Sequence, residues 1–248
     1  MRIDFSKLDN LKSKLDGFRP FSQAMLNNLH ESLVLQWTYH SNAIEGNTLT
    51  LKETRVALEG ITVGGKSLRE HFEVINHRDA ILFVEKLVQD NQALSEWQIK
   101  QIHQLILRNI DDENAGCYRR MNVTIAGANH VPPDSVQLAD LMAAFINWYQ
   151  KSQSLLHPIE LAARVHADFV KIHPFTDGNG RTSRLLMNLE LMKCGFPPVV
   201  LTVERRLEYY QALDLAHTQN NYQPFLELCT ELAVLAFSPY WHALGVSV

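Results

Sequence analysis

Cysteine is scarce in this sequence. Its three cysteines (Cys117, Cys194, Cys229) are far apart, odd in number and never in a CxxC pair. That excludes a disulfide framework and a thiolate zinc site, and it predicts free thiols in a reducing cytoplasm. Glycine (11) and proline (9) are sparse among 248 residues, so the chain is neither collagen-like nor low-complexity. Neither charge dominates: 23 Lys and Arg against 27 Asp and Glu give a net charge of -4, which argues against a protein that coats nucleic acid. No uninterrupted apolar run reaches the roughly 18 residues that cross a membrane. The nearest, Leu232 to Val246, contains Ser238, Pro239 and His242. The opening MRIDFSKLDNLKSKLDGF carries charges every few positions and no signal-peptide core. Neither nucleic acid nor a membrane is an expected partner, and the expected location is cytoplasmic.

What the chain has is helical periodicity. Apolar residues recur at spacings of three and four over 22–40, 67–88, 95–109, 136–151, 158–172, 179–194, 203–218 and 223–237. Ser95 and Ser135 stand where helices should begin, and Gly195 stands before Pro197-Pro198 where one should end. One stretch differs. In MNVTIAGANHV (121–131) the β-formers Val123, Thr124 and Ile125 precede Gly127, which predicts a small strand or hairpin. The expected fold is an all-α bundle with one small β-hairpin. Residues 1–60 are expected to form an N-terminal helical extension, and 61–248 a core with the C-terminal helices.

Gly60 to Ser67 (GITVGGKS) satisfies the phosphate-loop pattern GxxxxGK[ST]. A true phosphate loop follows a buried strand. The segment before it carries Lys52, Glu53, Arg55 and Glu59, as a solvated helix would, and no acidic partner strand follows. A turn between two helices is the expected structure.

The chemistry gathers in HPFTDGNGRTSR (173–184), between two helical runs. A glycine-rich turn entering a helix offers free N–H groups and the positive end of the helix dipole, which together bind anions. Arg181 and Arg184 stand in the first turns of that helix, where the dipole disfavours cations. Their presence there points to a polyanion such as a polyphosphate. Asp177 adds a carboxylate suited to Mg²⁺, which takes one or two carboxylates beside phosphate oxygens. His173 could accept a proton from an incoming nucleophile.

HPFTDGNGRTSR matches the Fic family signature HPFx[D/E]GN[G/K]R at every position. Ser41-Asn-Ala-Ile-Glu45-Gly46 resembles the family's inhibitory motif [S/T]xxxE[G/N], on a helix expected over about 38–47. VTIAGANHVPP resembles its flap, and Tyr209-Tyr210-Gln-Ala-Leu-Asp-Leu-Ala the helix that closes its adenine pocket. The resemblance covers about residues 35 to 235. It implies the Fic fold and transfer of AMP from ATP to a Ser, Thr or Tyr hydroxyl of a target protein, releasing pyrophosphate. His173 would be the general base, and Asp177 would hold Mg²⁺ or Mn²⁺. Gly178, Asn179 and Gly180 would form an anion hole, with Thr182 in the same ATP-binding turn. Arg181 and Arg184 would clamp the β- and γ-phosphates. Thr124, Ile125, Ala126 and Gly127 would form a flap that pairs with the target's backbone. Tyr210 would line the adenine pocket, with His217 where many relatives have Asn.

By the same resemblance, Ser41 and Glu45, one helical turn apart, would pair with Arg184 and crowd out the γ-phosphate, leaving the enzyme autoinhibited. In some relatives this Glu also positions the water that removes AMP. Relatives with Lys at the position of Gly180 include a kinase, so glycine there favours AMP transfer. A Fic-fold kinase, another phosphate-ester transferase and a non-catalytic binding module remain alternatives. The target, the enzyme itself among the candidates, is not encoded in any motif, and a homodimer is a further expectation.

Overall fold

The computed structural model describes residues 3–246. Among them the chain forms eleven α-helices and two short 3-10 turns. The helices are α1 (Ser6–Asp16), α2 (Gln23–Ile44), α3 (Leu51–Leu58), α4 (Leu68–Gln89), α5 (Glu96–Leu107), α6 (Leu138–Ser152), α7 (Pro158–Ile172), α8 (Asn179–Lys193), α9 (Arg206–Gln219), α10 (Gln223–Leu235) and α11 (Ser238–Leu244). The turns, Ser135–Gln137 and Val203–Arg205, lead into α6 and α9.

Local sequence fixes the ends. Thr50 with Glu53, and Ser67 with Glu70, make reciprocal capping boxes that start α3 and α4. Pro158 at the first turn of α7 follows the His157 cap, whose side chain accepts from the Ile159 N–H. The segment 60–67 is the turn between α3 and α4: Gly60 and Gly65 take positive φ, and Ser67 caps the next helix.

α8 is the axis of the bundle. Leu185, Leu186 and Leu189 enter one apolar core with residues of α2, α4, α5, α6 and α7. Met187 and Leu191 enter a second core with residues of α1, α7, α9, α10 and α11. A helix packed on both sides needs no polar stripe, and nearly every α8 residue from Asn179 to Leu191 is buried. Its polar N-terminal turns, Asn179 through Arg184, must therefore find partners inside the protein.

The expected β-hairpin is not formed. No strand occurs among the described residues, and the stretch around Thr124, Ile125, Ala126 and Gly127 is extended chain with one turn. That turn is closed by Ala128 N–H on the Ile125 carbonyl, with Gly127 at φ +79°. Side chains hold its two arms instead of a ladder. Arg119 donates Nη1 to Met121 O (2.9 Å) at the start of the flap and Nη2 to Pro133 O (2.6 Å) at its end. On the far arm, Asp214 of α9 accepts from Asn129 N and Nδ2 and from His130 N. Pro132 and Pro133 have no N–H to give a ladder.

Candidate functional site

The loop between α7 and α8 is built from within. His173 ends α7 at φ 50°, ψ 58°, a left-handed conformation uncommon for a side chain larger than glycine. Three contacts hold it there: His173 N–H to Phe169 O, Arg119 Nε to His173 O (2.9 Å), and Arg119 N–H to Pro174 O (2.9 Å). Asn179 closes the loop on itself, accepting from Phe175 N–H (3.0 Å) and donating Nδ2 to Phe175 O (2.8 Å). Its side chain is therefore structural, and what it offers an anion is its main-chain N–H. His103 stacks on Phe175 at 3.6 Å, takes the Gly116 N–H on Nδ1, and so donates Nε2–H to Asp177 O (2.9 Å). A Cβ at Gly178 would press on His103 and Ile106, which is one reason for glycine there.

Gly178 caps α8 without a side-chain partner for the helix's free N–H groups. Beside that open end lies Arg181, buried, with Nε and Nη1 making no hydrogen bond among the described residues and Nη2 on Asp177 Oδ1 at 3.3 Å. Arg184 is buried and fully committed: Nε to Ser41 Oγ (3.0 Å), Nη2 to Ser41 O (2.8 Å) and to Glu45 Oε1 (2.7 Å). Burial pulls its pKa down, but Glu45 and Tyr209 outweigh that and leave it raised. The Glu45 carboxylate also lies against the loop, so closely that a Cβ on Gly180 would collide with its Oε1. Thr182 lies elsewhere: its hydroxyl is fully buried and unpartnered, with no access to the cleft.

Burial lowers the His173 pKa to about 4, so the ring is neutral near pH 7 and free to accept a proton. Burial raises the Asp177 pKa, but Arg181, the Gly178 N–H and Arg69 together hold it below the ordinary value.

α9 supplies the far wall. Tyr210 is partly exposed and donates to Ile44 O (3.2 Å), beside Glu45. One and two turns on, Asp214 holds the flap and His217 meets the flap's His130, ring centroids 5.0 Å apart. Ser41, Glu45, Gly180 and Arg184 are thus linked through one set of contacts, and Tyr210 joins it at the Ile44 carbonyl.

The Fic/DOC family model matches residues 93–191. The chain is 41% identical over 237 residues to the protein adenylyltransferase Fic of Nematostella vectensis, across 93% of this chain and 55% of that protein. It is 38% identical over 233 residues to the protein adenylyltransferase Fic of Culex quinquefasciatus, across 92% of this chain and 46% of that one. A solved structure of Fic-1 from C. elegans superposes with TM-score 0.88 at 33% identity, over 97% of this chain and 72% of that one.

The chain belongs to the Fic/DOC family. A Fic domain containing signaling protein from Bacteroides thetaiotaomicron is similar at TM-score 0.89 and 27% identity, over 96% of this chain and 97% of that one. The chain spans about half the length of the curated relatives it matches. The family match runs from just before α5 to near the end of α8, so the Fic loop lies inside it and Glu45 lies outside.

Several residues of the Fic site carry no sequence pattern. Arg119 is the main one, joining both ends of the flap to the His173 carbonyl. Arg119→Ala should destabilise the fold by about 3 kcal/mol, since three hydrogen bonds from a charged donor are lost. A urea midpoint that falls at unchanged m-value checks this. Arg119→Lys should restore little, because an ammonium lacks the planar fork that reaches three carbonyls.

Proposed function

We propose that this chain transfers AMP from ATP to a hydroxyl of a target protein and that Glu45 holds it in check. The observation that carries the reading is the Glu45 carboxylate itself. It is an anion seated on Arg184 and against Gly180, at the uncapped end of α8, where a phosphate oxygen would gain the same contacts. The relatives named protein adenylyltransferase support the reaction.

In this reading the target's hydroxyl oxygen attacks the α-phosphorus, His173 accepts the hydroxyl proton, and the bond to pyrophosphate breaks. The free N–H groups of Asn179 and Gly180 meet the charge that grows on the α-phosphate. Arg181, whose Nε and Nη1 make no hydrogen bond among the described residues, and Arg184, once Glu45 withdraws, hold the outer phosphates. The flap at Thr124 to Gly127, whose one main-chain hydrogen bond among the described residues is at the Ile125 carbonyl, offers its other main-chain groups to an extended target segment. In this reading Glu45 also orients the water that removes AMP. Residues 1–60 act as the regulatory extension, and the three free cysteines fit a reducing compartment. No helix among the described residues is long and apolar enough to cross a membrane.

A divalent ion fits Asp177. This carboxylate is half-exposed on the rim of the anion loop, and no group of three or more His, Cys, Asp or Glu side chains gathers into a cage among the described residues. One carboxylate with phosphate oxygens and water is the usual protein share of a Mg²⁺ site. Bound there, the ion would neutralise phosphate charge.

The base would lie by His130 and His217. Each gives its Nε2–H to a main-chain carbonyl, Lys171 O (2.8 Å) and Ala167 O (2.9 Å), so each Nδ1 is left as an acceptor. Two acceptors suit the amino group of adenine and oppose the keto oxygen of guanine. ATP should bind roughly tenfold more tightly than GTP, with the preference falling below about threefold in His217→Leu, as competition titrations would read.

The reaction is tested by incubating the chain with ATP, Mg²⁺ and host lysate and measuring the mass added to labelled proteins. A gain of one AMP supports it; a gain of one phosphate makes the protein a kinase.

A further inference from the structure

We propose that Arg69 is a second brake, a guanidinium that holds the Asp177 carboxylate in the place of a divalent cation and leaves when a metal–triphosphate complex binds. The inference rests on the nucleotide reading above.

Arg69 stands in the first turn of α4. Its Nη2 lies 2.7 Å from Asp177 Oδ2, across 108 residues of sequence, and its Nε lies 3.2 Å from Glu73 Oε1. Nothing local calls for it: the turn is already capped by Ser67 and Glu70, and the dipole there disfavours a cation. Arg181 runs parallel, with Nη2 at 3.3 Å from Asp177 Oδ1 and Nη1 at 3.7 Å from Glu73 Oε1. Two carboxylates and two guanidinia therefore form a closed ring.

The two arginines differ in freedom. The Arg181 side chain is 2% exposed and fixed inside, whereas that of Arg69 is 57% exposed and can swing into water. The two oxygens of Asp177 differ in the same way. Oδ1 takes the Gly178 N–H and Arg181, while Oδ2 is held by Arg69 alone among the described residues. Oδ2 is thus the oxygen that one side-chain rotation uncovers.

The closed site carries the charges of its own ligand. A carboxylate, Glu45, stands where phosphate would be, and a guanidinium, Arg69, stands where the metal would be. The two are joined. Asn47, two residues past Glu45, donates Nδ2 to Glu73 Oε2 (2.8 Å) and to Glu70 O (3.1 Å), on the same turns of α4 that carry Arg69. Binding of a metal–phosphate pair would displace both charges, with Asn47 linking the segments that carry them.

The test is calorimetric titration of the intact chain with ATP, once in Mg²⁺ and once in EDTA. An exposed ion pair is weak, so the expected gain is modest. Arg69→Ala should tighten binding of ATP in Mg²⁺ by about three- to tenfold and leave binding in EDTA within about twofold. Adding Asp177→Asn should cancel that gain. Glu45→Gly should tighten binding in both buffers. Equal affinities for wild type and Arg69→Ala in Mg²⁺ would overturn the proposal. So would weaker binding of Arg69→Ala in both buffers, which would make Arg69 a phosphate contact. If no form binds ATP in either buffer, the nucleotide reading fails and takes this inference with it.

Discussion

Replacing Glu45 by glycine is expected to raise the rate of AMP transfer by about 10- to 100-fold. Glu45 competes with phosphate for Arg184 through one charge-assisted hydrogen bond at 2.7 Å. Such a bond is worth about 1.5–3 kcal/mol net, and each 1.4 kcal/mol is a factor of about ten. The competition is local: α2 stays docked through Ser41, which keeps both its contacts to Arg184. The substitution has a cost, because Arg184 is buried and loses its only carboxylate partner among the described residues. The variant should therefore melt at a lower temperature without ligand and recover more stability than wild type when ATP is added. Initial rates of AMP incorporation, read beside thermal melts with and without ATP, check both halves. A folded Glu45→Gly protein that transfers no faster than wild type would show that Glu45 is not the brake.

Replacing His173 by alanine in the Glu45→Gly background should lower transfer by about 10²–10⁴-fold while ATP still binds. The ring is the base, whereas the phosphate contacts belong to the loop N–H groups and the arginines. The pH profile follows from its environment. With the His173 pKa near 4, the base is neutral from about pH 5 upward, and transfer should fall only below that. An ordinary histidine would begin to lose activity near 6.5. The sign for stability is separate. A folded-state pKa below the unfolded one means that unfolding takes up a proton, so stability declines as pH falls from about 6.5 toward 4. His103 and His217, also held near 4 by burial, add to the same decline. Rates at low pH therefore need a parallel measure of folded fraction.

The helices and the Fic loop were legible because their causes are local. Spacings of three and four, capping serines and glycine turns act over a few residues, and they placed α4, α7 and α8 within a residue or two. The helix expected over about 38–47 stops earlier: α2 ends at Ile44, and Glu45 is its C-cap, one turn after Ser41. The flap misled because β-branched residues and a glycine also suit an extended arm, and its anchors, Arg119 and Asp214, come from elsewhere in the chain. The packing of the polar start of α8 was not legible: Asn179 folds back on Phe175 and Thr182 is buried, though both sit in the signature. Arg69 belongs to no motif, and only the fold brings it to Asp177.

The central claim is that the loop at 173–184 delivers the α-phosphate of ATP, not the γ, and that Glu45 restrains it. The most direct test supplies ATP labelled on the α- or the γ-phosphate to wild type, Glu45→Gly and Glu45→Gly/His173→Ala, with Mg²⁺ and host lysate. The expected result is α-label on protein, weak with wild type, strong with Glu45→Gly and lost when His173 is also replaced, with no γ-label in any lane above lysate alone. Transfer of γ-label that depends on His173 would contradict the account, because the nucleotide would then lie reversed in the site.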